Sequence, residues 1–192
     1  PAVEEVQIMR IGISMRKKYT FCALRHQGAL RCKRSRRRRA PNFVVPTPWG
    51  TTLVSDDSSG TSIIREVTLD GVASVWSDGV PTPKGMVFSL DNRTLYVAAT
   101  FDDVGLWRVL VSDAGEAGTP EKWVSFEVGS IPYGVAIDSE GNVYVALNLN
   151  DEIAQVKPDG TVTIIADGVL KPASFAFGQG WRVGIGIPGP AQ

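Results

Sequence analysis

The chain has 192 residues, of which 43% are hydrophobic, and its 20 Lys/Arg residues balance its 20 Asp/Glu residues. This composition is typical of a soluble globular chain. No stretch is apolar for long enough to form a membrane-spanning helix, so the sequence does not indicate a membrane partner. It does not distinguish a cytoplasmic protein from a secreted one.

The first predicted segment is a basic N-terminal arm, residues 1–42, for which we expect irregular structure. Residues 1–40 carry 12 Lys/Arg against two Glu, a net charge of +10, whereas residues 41–192 carry −10. The run Lys33–Arg39 holds no aromatic residue, and the acidic remainder of the chain would repel phosphate. We therefore expect the arm to dock on the acidic body rather than on nucleic acid. A vector-derived leader stays open as an alternative.

Cysteine and histidine occur only within this arm. Cys22 and Cys32 are spaced so that a disulfide is possible, but they match no common metal motif. His26 is the single histidine and no Gly-x-Ser-x-Gly sequence accompanies it, which disfavours a Ser-His-Asp hydrolase.

The remainder of the chain is repetitive. Ile64–Gly79 returns at Ile153–Gly168 at a constant offset of 89, with an internal and a closing Asp-Gly in both copies. PKGMVFSLDNRTLYVA (Pro83–Ala98) is echoed by PYGVAIDSEGNVYVA (Pro132–Ala146) 49 residues later. A period of roughly 40 to 50 residues is typical of propeller blades. Short β-branched runs separated by Gly-containing turns predict four strands in each repeat.

In chain order, the units span about Val45–Gly79, Val80–Gly129 and Ser130–Gly168. A fourth unit begins at Lys171, where Gly and Pro replace the expected second strand. The fold class is therefore predicted as all-β, a propeller-like array of about three and a half four-stranded blades. Its domains are the arm, a partial propeller over 43–178 and a Gly/Pro-rich tail over 179–192.

Such an array cannot close a ring, because propellers carry four to eight blades and an open array leaves unpaired strand edges. We expect the chain to self-associate and so complete the propeller. A fragment of a longer protein remains an equally good interpretation.

Candidate site residues follow from the direction of the strands. Loops before the first strand and after the second strand of a blade share one face, which we expect to form a common mouth. Residues that precede first strands or follow second strands are Lys84, Tyr133, Ser174, Asp56, Asp57, Asp102, Asp103, Asn148, Asn150 and Asp151. On the opposite face, Asp91 and Asp138 are expected to serve only as turn residues.

The repeated strings, together with KPASFAFG at the fourth unit, resemble the senescence marker protein and gluconolactonase family of six-bladed propellers and the related NHL repeats. The resemblance implies lactone hydrolysis in a central mouth, with a divalent ion, often calcium, held by carboxylate and amide oxygens. In that family one amide ligand usually stands in Pro-Asn-Gly and a carboxylate in Pro-Asp-Gly. Here the matching strings are Pro83-Lys84-Gly85 and Pro132-Tyr133-Gly134.

Neither lysine nor tyrosine replaces those ligands, so the candidate calcium ligands are Asp56, Asp57 and Asn150, with Asn148 nearby. A metal-free alternative assigns catalysis to Lys84, Tyr133 and Asp56, since a desolvated lysine can act as a base or stabilise an oxyanion. Substrate-binding candidates are Ser174, Asn148, Asp102 and Trp107, the tryptophan lining an apolar pocket unless it fills space between blades.

Two functions follow. One is a hydrolase that opens a small-molecule lactone, of the sugar lactone or acyl homoserine lactone class. The alternative is a non-catalytic NHL-type propeller that binds a protein or small ligand, so enzymatic activity stays undecided at this point.

Overall fold

The computed structural model describes residues 12–14, 18–24, 30–34, 41–56, 63–177 and 183–186. All regular secondary structure within these residues is β-strand, so the all-β prediction is confirmed. In this part of the chain, no helical segment has the length and hydrophobicity needed to span a bilayer.

The strands form five antiparallel sheets in which sequential strands are neighbours. The first sheet contains β1 (Gly12–Ser14), β2 (Lys18–Leu24) and β3 (Leu30–Arg34). Blade 1 contains β4 (Pro41–Pro46), β5 (Thr52–Asp56), β6 (Ile63–Val67) and β7 (Ala73–Asp78). Blade 2 contains β8 (Pro83–Phe88), β9 (Thr94–Ala99), β10 (Gly105–Leu110) and β11 (Glu121–Ser125). Blade 3 contains β12 (Pro132–Ile137), β13 (Val143–Leu147), β14 (Glu152–Val156) and β15 (Val162–Ala166). Blade 4 contains β16 (Ser174–Phe177) and β17 (Val183–Gly186).

The segment for which irregular structure was expected contains the three strands β1 to β3. Cys22 and Cys32 are register partners in β2 and β3. Blade 1 also begins at Pro41, two residues before the predicted boundary at residue 43.

Blade 4 contains a second strand, so the prediction that Gly and Pro replace it was wrong. In β17, Gly184 and Gly186 alternate with Val183 and Ile185, and Phe175 pairs with Ile185. This alternation keeps the two-residue period of a strand, although glycine weakens a strand interior.

The blades turn at repeated positions. In blades 1 to 3 the first hairpin is capped by a side-chain oxygen of Thr47, Ser89 or Asp138. This oxygen accepts a backbone N–H from the residue just before or at the start of the second strand. The third hairpin has a glycine with positive φ, 82° at Gly71 and 86° at Gly160. The Asp-Gly turns predicted from the sequence repeat are therefore confirmed.

Two apolar layers lie between adjacent blades. Between blades 1 and 2 the buried cluster includes Leu53, Ile64, Leu95 and Val97, and between blades 2 and 3 it includes Leu106, Val143, Val145 and Val156. These side chains are almost fully buried, and burial of this kind is the main stabilising contribution to a stack of sheets.

The fourth strand of each full blade carries an extra, bulged residue. The register shifts at Trp76 in β7, at Trp123 in β11 and at Ile165 in β15. Trp76 Nε1 donates to the carbonyl oxygen of Gly115 in blade 2 at 2.8 Å, and Trp123 belongs to the cluster between blades 2 and 3. The bulged tryptophans thus join successive blades.

The first strands of the blades lie side by side. β8 contacts β4 and β12, and β12 contacts β16. A Cβ atom on Gly85 would lie 2.3 Å from the carbonyl oxygen of Tyr133, and one on Gly134 would lie 2.4 Å from that of Ala173. Only glycine permits such an approach, so these strands converge as the innermost strands of a propeller.

Candidate functional site

The candidate site lies where each innermost strand begins. Pro41, Pro83 and Pro132 open β4, β8 and β12, and each pairs with the last residue of the second strand of its blade. A bulge follows each proline. The residues after the prolines are therefore structurally equivalent, and they are Asn42, Lys84 and Tyr133.

Lys84 is the charged residue at the centre of this edge. Lys84 is buried, with only 6% of its surface exposed. The ammonium Nζ is 5.2 Å from the ring centroid of Tyr133 and 5.5 Å from that of Phe101. The faces of aromatic rings attract cations at such distances, so both rings stabilise the charged amine.

Tyr133 also connects blade 3 with blade 1. Its ring lies edge-on to Phe43, with centroids 5.9 Å apart and planes inclined by 67°. The contact therefore joins the two blades on either side of β8, the innermost strand of blade 2, which carries Lys84. We call the group formed by Asn42, Phe43, Asp56, Lys84, Phe101 and Tyr133 the central mouth.

Asp56 ends β5 at the same edge, opposite Pro41. It is 2% exposed, and its Oδ2 atom lies 3.3 Å from Nε of Arg65 in the neighbouring strand. β5 also contacts β8, the strand that carries Lys84. The guanidinium compensates the buried carboxylate, since an isolated buried charge would be costly.

Side chains after the second strands of blades 2 and 3 form hydrogen bonds to the following blade. Thr100 Oγ1 donates to the carbonyl oxygen of Pro132 at 2.8 Å, and Asn148 Nδ2 donates to that of Pro172 at 3.0 Å. Asn148, predicted to bind substrate, thus has a structural role between blades 3 and 4.

The backbone before three innermost strands has an uncommon conformation. Thr82, Ile131 and Lys171 have φ values of 40°, 49° and 46°, and each precedes a proline. A positive φ is unfavourable for residues with side chains, above all for the β-branched isoleucine. In blade 2 the hydroxyl of Thr82 accepts the backbone N–H groups of Thr100 and Phe101, which holds the loop that carries Phe101.

The other predicted site residues do not join this group in the described contacts. Asp102 and Asn150 are exposed in loops, and Ser174 opens β16 as a half-buried residue. Trp107 lies in the third strand of blade 2 and packs against the cluster between blades 1 and 2. Its predicted role in substrate binding gains no support from this position. Asp57 lies outside the described residues.

Sequence reasoning missed Asn42, Phe43, Phe101 and Arg65. Pro41-Asn42-Phe43 matches Pro83-Lys84-Gly85 in its first residue only, so the equivalence emerges from the strand register. Phe101 and Arg65 belong to no sequence motif. Their roles depend on contacts with Lys84 and with Asp56.

The described residues do not fit a calcium ion. Calcium takes six to eight oxygen ligands, but Lys84 and Tyr133 occupy two of the equivalent positions and Asp56 already pairs with Arg65. No group of three His, Cys, Asp or Glu residues able to hold a metal occurs in the described part of the chain. Within it, every buried side-chain nitrogen or oxygen has a hydrogen-bond partner, so no buried oxygen is orphaned.

The fold is shared with proteins of several chemistries. A gluconolactonase from Xanthomonas campestris has 16% sequence identity and a TM-score of 0.70, and the match covers 92% of this chain and 67% of that one. The calcium-binding protein regucalcin from Agrobacterium tumefaciens has 16% identity and a TM-score of 0.65, with 87% and 62% covered. Virginiamycin B lyase from Staphylococcus aureus has 15% identity and a TM-score of 0.64, with 91% and 61% covered.

These likenesses establish a propeller fold, and the chain spans 61% to 67% of the length of these structures. No curated protein sequence matches the chain. A family model described as the SMP-30/gluconolactonase/LRE-like region matches residues 25–182, beginning within the segment predicted as an arm. Because this match includes most of the residues, the chain belongs to the SMP-30/gluconolactonase/LRE-like family.

Proposed function

We propose that the chain is a lactone-opening hydrolase, or the part of one that carries its central mouth. Family membership supports a lactone hydrolase, and the observation that carries the proposal is the buried ammonium of Lys84 between two rings where the innermost strands converge. A fixed positive charge is suited to the negative oxygen that develops when water attacks an ester carbonyl.

The mouth residues would divide the reaction as follows. Lys84 stabilises the oxyanion, and the ring of Tyr133 lies beside the Lys84 ammonium. Asp56, which is paired with Arg65, accepts a proton from the attacking water. As the ring carbon–oxygen bond breaks, the proton passes to the leaving oxygen. The product is a ring-opened hydroxy acid.

Lactone hydrolysis by the purified chain tests this assignment, with gluconolactone and an acyl homoserine lactone as the two substrates. We expect Lys84→Gln to lower kcat/KM by about 100-fold or more, the usual effect of removing an oxyanion donor. Lys122→Gln is the matched control, because Lys122 pairs with Asp103 outside the central mouth and its loss should leave the rate unchanged. Equal rates for Lys84→Gln and the unaltered chain would refute the role of Lys84.

The same experiment tests which lactone is opened and whether hydrolysis depends on calcium. The calcium-binding regucalcin is a structural relative, so hydrolysis should also be measured with added Ca²⁺ and with chelator. Because the described mouth offers few oxygen ligands, we expect chelator to leave the rate unchanged.

A non-catalytic binding propeller is the second candidate. It is favoured by one observation: all buried polar side-chain atoms among the described residues already have partners. Failure of the chain to hydrolyse either lactone, together with retained binding of the ring-opened acid, would favour this alternative.

A further inference from the structure

We infer that the face around the central mouth holds an apolar chain, so that the lactone opened there carries an acyl or alkyl tail rather than the hydroxyl groups of a sugar lactone. The inference rests on the proposed function for the position of the lactone ring. It is carried by three exposed apolar residues, Phe101, Leu149 and Leu170, which we call the apolar rim. These residues are 59%, 57% and 68% exposed.

Phe101 and Leu149 occupy the same place in consecutive blades. In blades 2 and 3 the last residue of the second strand pairs with the proline that opens the innermost strand, and the rim residue follows two residues later. Both positions therefore lie on the face at which the innermost strands begin, which is the face of the central mouth. Phe101 also borders the mouth directly, because its ring centroid lies 5.5 Å from Nζ of Lys84.

Leu170 extends the same surface beyond Leu149. It lies in the loop that enters β16, and this loop is bonded to the loop that carries Leu149. The carbonyl oxygen of Asp151 accepts the N–H of Val169, and Oδ1 of Asp151 accepts the N–H of Lys171, both at 2.8 Å. The two leucines therefore lie in adjoining segments of chain on one face.

The backbone of the rim is already ordered by hydrogen bonds. Phe101 N–H donates to Oγ1 of Thr82 at 2.9 Å, and Leu149 N–H donates to the carbonyl oxygen of Ser130 at 3.3 Å. Covering the exposed side chains therefore needs little reordering of these loops, so the apolar surface removed from water contributes to affinity. A chain of methylene groups covers such surface favourably, and the hydroxyl groups of gluconolactone do not.

The charges beside the rim favour a soluble ligand over a membrane surface. The loops that carry the rim hold more carboxylates than amines, namely Asp102, Asp103, Asp151 and Asp167 against Lys171. An anionic lipid surface would be repelled by this excess of negative charge. A lactone whose ring lies in the mouth projects its substituent onto the surrounding face, so a tail on the substrate is the occupant that this position favours.

Calorimetry with two ligands that cannot be hydrolysed tests the inference. The probes are the lactam analogues of N-butanoyl and N-octanoyl homoserine lactone, which differ in chain length alone. We expect the octanoyl lactam to bind the unaltered chain at least about 10-fold more tightly, because each further covered methylene contributes about two- to fourfold.

The lactams report binding without a chemical step, so the inference and the proposed function can fail separately. A chain that opens gluconolactone but binds both lactams equally contradicts the inference and leaves the proposed function standing. A chain that prefers the octanoyl lactam but opens no lactone supports the rim and contradicts the proposed function.

Leu149→Ser/Leu170→Ser removes the aliphatic part of the rim. We expect the preference for the octanoyl lactam to fall below about threefold in this variant, because less apolar surface remains for the tail to cover. Leu69→Ser/Leu90→Ser is the matched control, since these leucines are 52% and 59% exposed in turns on the opposite face. It should keep the preference of the unaltered chain.

Three results overturn the inference. They are equal affinities of the unaltered chain for the two lactams, an equal loss of preference in both double variants, and binding to phosphatidylcholine vesicles that Leu149→Ser/Leu170→Ser abolishes. The last of these would assign the rim to a lipid surface. The comparison of the two lactams on the unaltered chain decides the matter even where a variant fails to fold.

Discussion

Asp138 shows how much one side chain contributes to a blade. Its carboxylate accepts the backbone N–H groups of Glu140 and Asn142 and two side-chain donors, Asn142 Nδ2 and the hydroxyl of Tyr144. Partial burial acts to raise the pKa of Asp138, but these hydrogen bonds outweigh it and the pKa is lowered. Burial and the bond to Asp138 both raise the pKa of Tyr144.

The lowered pKa predicts a pH-dependent contribution to stability. Because the ionised form is favoured in the folded state, the contribution is complete above the ordinary aspartate pKa of about 4 and is lost as the pH falls through the folded value. We expect Asp138→Asn to lower the free energy of unfolding by about 1–2 kcal/mol at pH 7 and by less at pH 3.

Urea unfolding at the two pH values measures this difference. Glu140→Gln is the control in the same turn, since Glu140 is exposed and its backbone N–H is retained. It should change stability by less than about 0.5 kcal/mol. An equal loss for Asp138→Asn at both pH values would contradict the electrostatic explanation.

Residue identity predicted the role of Asp138 and Asp91 as turn residues, since both accept backbone N–H groups within their own hairpins. It did not predict that Phe101 lies beside Lys84 or that Phe43 lies beside Tyr133. Phe101 comes from a loop, and Phe43 comes from a different blade than Tyr133. Such proximity follows from the curvature of the stack, which no local pattern encodes.

Gly134 determines how closely two elements approach. It lies in β12, and a methyl group there would meet the backbone of Ala173 and Ser174 in the next blade. The obstacle is backbone, which cannot rotate away as a flexible side chain can. We therefore expect Gly134→Ala to separate the two innermost strands and lower the free energy of unfolding by about 3 kcal/mol.

Denaturant unfolding followed by circular dichroism measures this loss. Gly118→Ala is the control: the nearest atom to its added methyl is the carbonyl oxygen of Leu110 at 3.3 Å, so a small shift relieves the contact. Its cost should stay below about 1 kcal/mol. If both variants were equally stable, close approach would not be the reason for glycine in β12.

The strands of blades 1 to 3 could be predicted because alternation, β-branched residues and Asp-Gly turns all favour the same structure. β17 could not, because Val-Gly-Ile-Gly has the period of a strand but the composition of a loop. The first residues of β4 were not predicted as a strand for a related reason. Phe43 occupies the position at which β8 and β12 have a glycine, Gly85 and Gly134.

At the scale of the molecule, blade 3 exposes apolar side chains on β15. Val162, Ile164 and Ile165 of β15 are 39%, 45% and 47% exposed. In blade 1 the residue equivalent to Ile165 is Trp76, which the next blade covers. Exposed apolar strands of this kind tend to mark association surfaces.

We accordingly expect two copies of the chain to associate through β15. Sedimentation velocity should give a dimer, and Ile164→Lys/Ile165→Lys should return it to the mass of a single chain. Val128→Lys is the control, because Val128 is 97% exposed in the loop between β11 and β12 and its change should leave the mass as it was. A single-chain mass for the unaltered protein would argue against association.

The bulged tryptophans have a spectroscopic consequence. Trp76 is hydrogen-bonded across the boundary between blades 1 and 2, while Trp123 packs at the boundary between blades 2 and 3. An indole that becomes solvated when a boundary opens changes its emission, so Trp76→Phe and Trp123→Phe difference spectra would report on the two boundaries separately. Since the apolar layers lie between neighbouring blades, the order in which those signals change would reveal which boundary opens first.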